Sequence, residues 1–531
     1  MQPSLTLPTR SKPHLNLLLQ PYILTGLLFI VALGTRFYFA SQIPHPGHGD
    51  PAFYYTIVQS ITSGQGLEIN YIWHYLTAPN AVTHPGADYW MVFASVLMSV
   101  PYFIFRNLFS ILILSSLFGV GIAVLTSQIA PTYTASKFVA FLVLFYLLFE
   151  PTLFDFSISV DAPVYYVFFV ILALFLMLKG NENPRHFVWA GMVTGLAHLT
   201  RQDALLLAPT LLLTIFLAPF PFKTRLHWMG LAMGAYLLVL LPLLVYNLHN
   251  FGALLPPGPS RVAFATEHEQ VYVYSTPLSL SSYLTLGWRA ILKQKILTGL
   301  ANLDIMYQQF GPMVSLLVGV SLVELTLSPT HRPRWRKYLP VLVFLVLEFL
   351  FYTLVATVVS THGSYGKAVL TVLPFMLLFA FDTLERHIPN KYVATLLAIV
   401  FVFPPLLTTF PTARGKIAFH TEIAQAMAAL TETIHDKVEP REQNEIILMT
   451  RNPWEVNLST EYRAVMIPYE NLDVIYQVAQ RYHANYLLLP APSRPALDNF
   501  RETSQDNARF QFIVAVPKTN LKIYRIVSDA P

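Results

Sequence analysis

The 531-residue chain contains no cysteine. That absence excludes disulfide bonds, thiolate nucleophiles and thiolate metal ligands. Charge is also scarce, because Asp, Glu, Lys and Arg together make up 12% of the residues, about half of the roughly 25% found in soluble domains. So little charge excludes an ordinary soluble enzyme and is typical of a membrane protein.

What the chain has instead is apolar sequence: 54% of its residues are hydrophobic and its mean hydropathy is +0.50. A helix that crosses a bilayer needs about 20 mostly apolar residues. Hydropathy and length predict about eleven spans, near 20–40, 107–128, 136–149, 161–178, 187–200, 204–220, 228–247, 309–327, 338–357, 367–383 and 392–410. The apolar run 91–105 is either a further span or a helix lying in the interface. We therefore expect a polytopic α-helical membrane protein.

The loop charges predict an orientation. Lys and Arg are concentrated in every second loop, at Arg10, Lys12, Lys137, Lys179, Arg185, Lys223, Arg225, 331–337, Arg386 and Lys391. The first intervening loop, about 41–88, has neither Lys nor Arg. By the positive-inside rule, we expect a multi-pass protein of the cell membrane with a cytoplasmic N-terminus and long outer loops at about 41–90 and 248–308. The net charge of +5 then reflects cytoplasmic loops and not nucleic-acid binding.

The composition changes after Phe410. Helical periodicity covers 423–438 and 471–483, and short β-like segments occur at 444–450, 463–468, 485–490, 510–516 and 521–527. This pattern predicts a transmembrane domain over 1–411 followed by a small extracytoplasmic α/β domain over 412–531.

Two acids lie where predicted outer loops lead into helices. Asp50 follows the segment 44–49, which is rich in Gly, Pro and His, and Asp161 precedes a long apolar run. An acid placed there escapes the cost of burial in hydrocarbon, so both are candidate catalytic groups. Each is also close to a proline, and an Asp at such a junction can act as a helix cap; the two roles can coexist.

Histidines and tyrosines surround these acids. His45, His48 and Asp50 offer ligand types for a divalent metal, but their spacing matches no familiar metal motif, so a stiff polar loop is the competing interpretation. His84 is a further outer-loop histidine for which a structural role is the simpler hypothesis. Tyr54 and Tyr55 could stack on a sugar or belong to the interfacial aromatic belt.

Cations are rare on the predicted outer side, and Arg201, Arg261 and Lys367 are the candidates for holding a phosphate. Snorkelling toward lipid headgroups is the alternative for each. It explains Arg261 less well, because the surrounding sequence GPSRVAF is not an amphipathic helix.

Several segments, in this order, resemble the GT-C superfamily of membrane glycosyltransferases, in particular the protein O-mannosyltransferases and the lipid A aminoarabinose transferases. The resemblance covers most of the chain and rests on 49–67, 83–86, 159–180, 189–207, 246–261 and 451–468. The segment YNLHNFGALLPPGPSR at 246–261 resembles the Asn-x-x-x-Phe-Gly-x-x-x-Pro-Pro-Gly segment of bacterial members.

The resemblance implies a hexosyl- or pentosyltransferase that uses a polyprenyl-phosphate-linked sugar donor, inverts the sugar and works outside the membrane. It implies Asp50 and Asp161 as the catalytic acids and Arg261, Arg201 and Lys367 as phosphate-binding residues. His84 lies in the segment that resembles the family's His-Pro motif, and Tyr54 and Tyr55 stay candidates for stacking on the sugar; we expect all three to bind substrate. The Asp-x-Asp of the metal-dependent branch is missing near Asp50, which favours a mechanism without a metal or other cofactor. The acceptor would be a lipid, glycan or protein hydroxyl.

A multispan transporter or flippase of a lipid-linked or small-molecule substrate is the main alternative. It predicts ionisable residues at membrane depth, and Glu348 is the clearest one within a predicted span.

Overall fold

The computed structural model describes residues 21–77, 79–327, 335–388, 390–439, 445–490, 494–503, 506 and 508–527. Two of the basic residues that predicted the orientation, Arg10 and Lys12, lie outside the described residues, as does 331–334 of the basic loop.

Helices dominate the first four-fifths of the chain. They are α1 (Pro21–Ala40), α2 (Asp50–Thr62), α3 (Phe93–Phe105), α4 (Leu108–Tyr133), α5 (Lys137–Phe149), α6 (Pro151–Ser157), α7 (Pro163–Gly180), α8 (Arg185–Thr200), α9 (Leu207–Phe216), α10 (Phe222–Phe251), α11 (Pro257–Val262), α12 (Leu280–Leu284), α13 (Trp288–Phe310), α14 (Pro312–Leu327), α15 (Trp335–Leu354), α16 (Thr357–Val359), α17 (Tyr365–Val369), α18 (Leu373–His387) and α19 (Lys391–Lys437). Short 3₁₀ turns cover Gln202–Leu206 and His268–Tyr272, and a π-type turn covers Ser360–Ser364.

Each predicted span coincides with helical structure, but the count of eleven spans is not confirmed. Among the described residues, 4 helices are long and apolar enough to cross a bilayer, or up to 7 if each bent helix pair is one span. Two of the helices at predicted spans are short: α8 has 16 residues and α9 has 10, against the about 20 of a typical span. The apolar run 91–105 forms the 13-residue helix α3.

Helices α8 and α10 approach each other very closely. Their contact contains Gly191 and Gly195, four residues apart and therefore on one face of α8. A Cβ atom added to Gly191 would lie 2.1 Å from the carbonyl oxygen of Ala232, and one added to Gly195 would lie 2.7 Å from Cβ of Val239. Small residues at this spacing let two helix backbones touch inside a membrane.

The C-terminal part contains a six-stranded sheet. Its strands are β2 (Tyr71–Ile72), β4 (Ile447–Thr450), β5 (Arg463–Met466), β6 (Tyr486–Leu489), β7 (Phe510–Ala515) and β8 (Lys522–Ile526), in the order β2-β5-β4-β6-β8-β7. Strands β2, β5, β4 and β6 are mutually parallel, and β8 is antiparallel to both β6 and β7. Helices α20 (Pro453–Thr460), α21 (Leu472–Arg481) and α22 (Asp498–Thr503) accompany it. The five C-terminal strands lie where the residue pattern predicted them.

One edge of this sheet comes from the first long loop. Tyr71 pairs with Ala464 and Ile72 with Val465, and the same loop forms a small hairpin from β1 (Glu68–Ile69) and β3 (His84–Pro85). The predicted boundary between 411 and 412 falls inside α19, which runs unbroken to Lys437. The sheet is therefore connected to the helical part through β2 and through α19. The division into two domains stays a prediction.

We predict that Gly191→Ala destabilises the protein, because the added methyl group cannot fit against the α10 backbone. Overpacking of this kind costs about 1–3 kcal/mol. Gly230→Ala and Gly234→Ala on α10 are matched controls, since nothing lies within 4 Å of a Cβ atom added at either position. Thermal unfolding in detergent should show a clear drop for Gly191→Ala only; equal melting temperatures for all three variants would contradict the close packing.

Candidate functional site

Lys367 links the two predicted catalytic acids. Its Nζ donates to Oδ2 of Asp50 at 2.7 Å and to Oδ2 of Asp161 at 3.0 Å. Asp50 begins α2, Asp161 lies just before α7, and Lys367 is on α17. Three residues that are far apart in sequence thus form one cluster of two carboxylates and one ammonium.

The local backbone explains how each acid reaches this cluster. Gly49, in the left-handed region at φ 66°, is the N-cap of α2, and Ala162 is the N-cap of α7; neither helix has a side-chain cap. Asp161 Oδ1 accepts a hydrogen bond from its neighbour's backbone, Ala162 N–H, at 2.7 Å. Helix capping, the competing interpretation of both acids, is therefore not their role in this structure.

The two carboxyl groups differ in exposure and in pKa. The side chain of Asp50 is 36% exposed, whereas that of Asp161 is 6% exposed. Burial alone would raise the pKa of Asp50, but the Lys367 ammonium outweighs it and lowers that pKa below its ordinary value. Burial, aided by the negative charge of Asp50, raises the pKa of Asp161 despite the same ammonium. Asp50 is thus the more exposed carboxyl group of the pair and the one whose pKa is lowered.

Arg201 forms a second charged group beside Asp50. Its Nε and Nη2 donate to the two carboxylate oxygens of Asp203 at 3.1 Å each, and Nη2 also lies 3.1 Å from the hydroxyl of Tyr352. Tyr352 in turn donates to Asp203 at 2.7 Å. Within the described part of the chain, these bonds use Nε and Nη2 and leave the N–H groups of Nη1 for a ligand.

Two cavities meet at Asp50. The first, which we call the apolar pocket, has a volume of about 150 Å³ and is lined by residues that include Asp50, Tyr54, Arg201, Phe351, Tyr352 and Val355. The second, which we call the vestibule, has a volume of about 380 Å³ and is lined by residues that include His48, Asp50, Trp73, His268, Lys367 and Trp454. Tyr89, Trp90, Val359 and Ser364 also line both cavities. A carboxylate between an apolar pocket and a polar vestibule can act on two substrates that enter from different sides.

The other predicted site residues are divided between this region and its surroundings. Tyr54 lines the apolar pocket, while Tyr55 packs edge-on against Tyr102. Arg261 lines neither cavity; the residue is exposed, and its guanidinium donates to the carbonyl of Leu76. His84 is also outside them: it is buried, its Nδ1 is 2.9 Å from the Val82 carbonyl, and burial lowers its pKa.

The histidines before Asp50 have protein partners. His48 pairs with Glu455 of α20, and Nδ1 of His45 accepts from the backbone N–H of Gly47 at 3.2 Å. Among the residues that the structure describes, no three His, Cys, Asp or Glu side chains cluster in the manner of a metal site.

The sequence interpretation missed three residues of this site. Asp203 and Tyr352 orient Arg201, and Trp454 brings the C-terminal region to the vestibule. Asp203 could have been found from the sequence, because it follows the candidate cation Arg201 by two residues and is its nearest acid. Tyr352 and Trp454 carry no local signal, since only the fold brings them here.

Comparisons with known proteins show which fold this is. No family model matches the chain, and no curated protein matches it. Among solved structures, ArnT from Cupriavidus metallidurans bound to undecaprenyl phosphate has a TM-score of 0.60 at 14% identity, over 96% of this chain and 99% of that one. The apo state of the same protein has a TM-score of 0.57 at 12% identity, over the same shares of both chains.

An oligosaccharyltransferase of Archaeoglobus fulgidus in the apo form has a TM-score of 0.53 at 12% identity, over 87% of this chain and 69% of that one. ArnT, the lipid A aminoarabinose transferase, and the oligosaccharyltransferase are both GT-C proteins. The resemblance found in the motifs is therefore confirmed at the level of architecture: this chain shares its fold with these two GT-C proteins.

Proposed function

We propose that this protein is an inverting glycosyltransferase that moves a sugar from a polyprenyl-phosphate-linked donor to a hydroxyl of an extracytoplasmic acceptor. The observation that carries the proposal is the position of Asp50, ionised by Lys367 and shared by an apolar pocket and a polar vestibule. The structure of ArnT with undecaprenyl phosphate supports a lipid-phosphate donor, because it has the same fold.

The donor fits the apolar pocket. The aromatic and aliphatic side chains of Phe351 and Val355 suit the start of a polyprenyl chain, and Arg201 is the cation of that pocket. A guanidinium binds phosphate oxygens through charge-assisted hydrogen bonds. We therefore assign the phosphate to Arg201 and not to Arg261, which was predicted from sequence.

The acceptor then approaches from the vestibule. Its hydroxyl oxygen attacks the anomeric carbon and forms the new glycosidic bond, while its proton passes to the Asp50 carboxylate. The bond between that carbon and the phosphate oxygen breaks, and its electron pair stays on the phosphate beside Arg201. A single displacement inverts the anomeric carbon and needs neither a general acid nor a second nucleophile.

The predicted membrane orientation agrees with this assignment. Asp50 and Trp90 come from the first long loop, and His268 comes from the second; loop charges place both loops outside. We infer that the N-terminus is cytoplasmic and that the C-terminal sheet lies outside with the site.

The transport alternative relies on Glu348, which is buried and accepts a hydrogen bond from Tyr166 at 3.3 Å. That tyrosine also stacks under the Arg201 guanidinium, at 5.2 Å from its ring centre. Glu348 is therefore linked through Tyr166 to Arg201, and its position does not require a transport path.

The function is tested with purified protein, undecaprenyl-phosphate-linked hexoses and pentoses, and mass spectrometry of the undecaprenyl phosphate released. We predict that Asp50→Asn lowers turnover by about 10²- to 10⁴-fold, as expected for the loss of a general base, while undecaprenyl phosphate still binds. Asp155→Asn is the matched control, because Asp155 forms a similar ion pair with Lys416 at 2.8 Å away from both cavities. Near-normal turnover by Asp50→Asn would refute the assigned role.

We predict that Arg201→Ala weakens the binding of undecaprenyl phosphate by about 10- to 100-fold, since a hydrogen bond to a charged group contributes about 1.5–3 kcal/mol. Arg261→Ala should leave the affinity unchanged. Arg201→Ala combined with Asp203→Asn controls for the carboxylate left unpaired. A binding titration in which Arg261→Ala weakens the affinity and Arg201→Ala does not would contradict this assignment. It would make Arg261, in the second long loop, the phosphate-binding residue.

The pH dependence of the reaction provides a test of Lys367. A general base works only when ionised, so the rate falls as pH drops through the pKa of Asp50. Because Lys367 lowers that pKa and burial opposes it, removing the ammonium should raise it. We predict that the acid limb of kcat/KM moves to higher pH in Lys367→Met and stays in place in Lys416→Met. An acid limb that Lys367→Met does not move would show that another group acts as the base.

A further inference from the structure

The vestibule has walls of an unusual composition. It is lined by three tryptophans from two distant parts of the chain: Trp73 and Trp90 belong to the first long loop, and Trp454 to α20 beside the C-terminal sheet. The protein contains only 7 tryptophans, so nearly half of them surround this one cavity. The enrichment points to a ligand that indole rings recognise.

Two of these indoles carry unused hydrogen-bond donors. Trp73 is 4% exposed and Trp454 is 6% exposed, and the Nε1–H of each has no hydrogen-bond partner among the described residues. A buried donor left unpaired costs about 1–3 kcal/mol, so native proteins rarely keep two of them in one place. Oxygen atoms of a bound ligand would satisfy both.

The backbone leaves space at one of these donors. Gly49 lines the vestibule directly before Asp50, and a Cβ atom added there would lie 3.4 Å from Nε1 of Trp454. Its φ of 66° is also one that residues with side chains rarely adopt. The glycine therefore keeps a side chain away from the indole N–H next to the proposed base.

The rings add apolar surface around the donors. Trp73 stacks on Trp90 at 4.1 Å and 14°, Trp454 stacks on His48 at 5.9 Å and 18°, and Trp73 and Trp454 are 5.9 Å apart at a tilt of 55°. The vestibule thus combines aromatic carbon, N–H donors and the charged groups Asp50 and Lys367.

This combination matches a sugar ring, which has C–H groups on its faces and oxygens around its rim. Tryptophan presents the complementary surface, an apolar body with one N–H donor at its edge. A peptide would instead be expected to need free backbone groups of a strand or an extended apolar groove.

We propose that the vestibule is the acceptor subsite and that it binds a carbohydrate, so that a glycan hydroxyl is presented to Asp50. The inference rests on the proposed function and narrows its acceptor from any hydroxyl to that of a saccharide. Trp73 and Trp454 are the residues that select it. The transfer step is the one given above, with the saccharide oxygen as the nucleophile and Asp50 receiving its proton.

The test applies labelled full-length protein in detergent to a glycan array and to an array of Ser- and Thr-containing peptides. We expect binding to a subset of glycans and none to the peptides. The best glycan is then titrated against wild type, Trp454→Phe and Trp73→Phe, which keep an aromatic ring but lose the N–H donor. Each variant should bind about 2- to 10-fold more weakly, the effect of one hydrogen bond. Trp189→Phe is the matched control, because Trp189 is 57% exposed on α8.

Undecaprenyl phosphate binding, measured on the same samples, separates this inference from the proposed function and confirms that the variants fold. Wild type that binds undecaprenyl phosphate but no glycan, or that binds the peptides in preference, would overturn the carbohydrate subsite alone. Glycan affinity that is unchanged in both variants would do the same. Failure of wild type to bind undecaprenyl phosphate and to consume any donor would instead overturn the proposed function.

Discussion

One ammonium shared by two carboxylates is the interaction on which the site depends. Charges taken out of water are tolerated only when they are paired, and Lys367 pairs with both Asp50 and Asp161. Because these residues begin α2, precede α7 and lie on α17, their pairing fixes three distant segments around one point. The ammonium lowers the pKa of Asp50 against the effect of burial and so favours its ionised form. The same contact therefore holds the site together and prepares its reactive group.

The two cavities on either side of Asp50 separate two kinds of chemistry. The apolar pocket has one guanidinium held by Asp203 and Tyr352 among hydrocarbon side chains, which suits an anionic lipid. The vestibule is lined by histidines, tryptophans and Lys367. This lining suits a polar acceptor. Strand β2 and α20 bring the C-terminal sheet to the vestibule, so that the region farthest along the chain helps to form the site.

Much of this architecture could be predicted from local sequence. Hydrophobic runs located the helices, and short runs rich in apolar and β-branched residues located the five C-terminal strands, because both signals lie within a few residues. Asp50, Asp161 and Lys367 were found because charges are rare in this chain and each interrupts an apolar context. The count of eleven spans stays a prediction, because helices of 10 and 16 residues such as α9 and α8 have the composition of spans without the usual length. Arg261 was preferred to Arg201 for the phosphate because its loop looked rigid, yet only the fold shows that Arg201 faces the cavity. The roles of Tyr352 and Trp454 likewise depend on contacts across more than a hundred residues, which no local pattern contains.

The account is tested most directly by an experimental structure of the protein with undecaprenyl phosphate bound. It predicts that the phosphate lies within hydrogen-bond distance of the Arg201 guanidinium, with the first isoprene units against Phe351 and Val355 and with Asp50 on the side that faces the vestibule. A phosphate bound at Arg261, or anywhere that leaves Asp50 beyond hydrogen-bond reach of a hydroxyl attacking the anomeric carbon of an attached sugar, would contradict it.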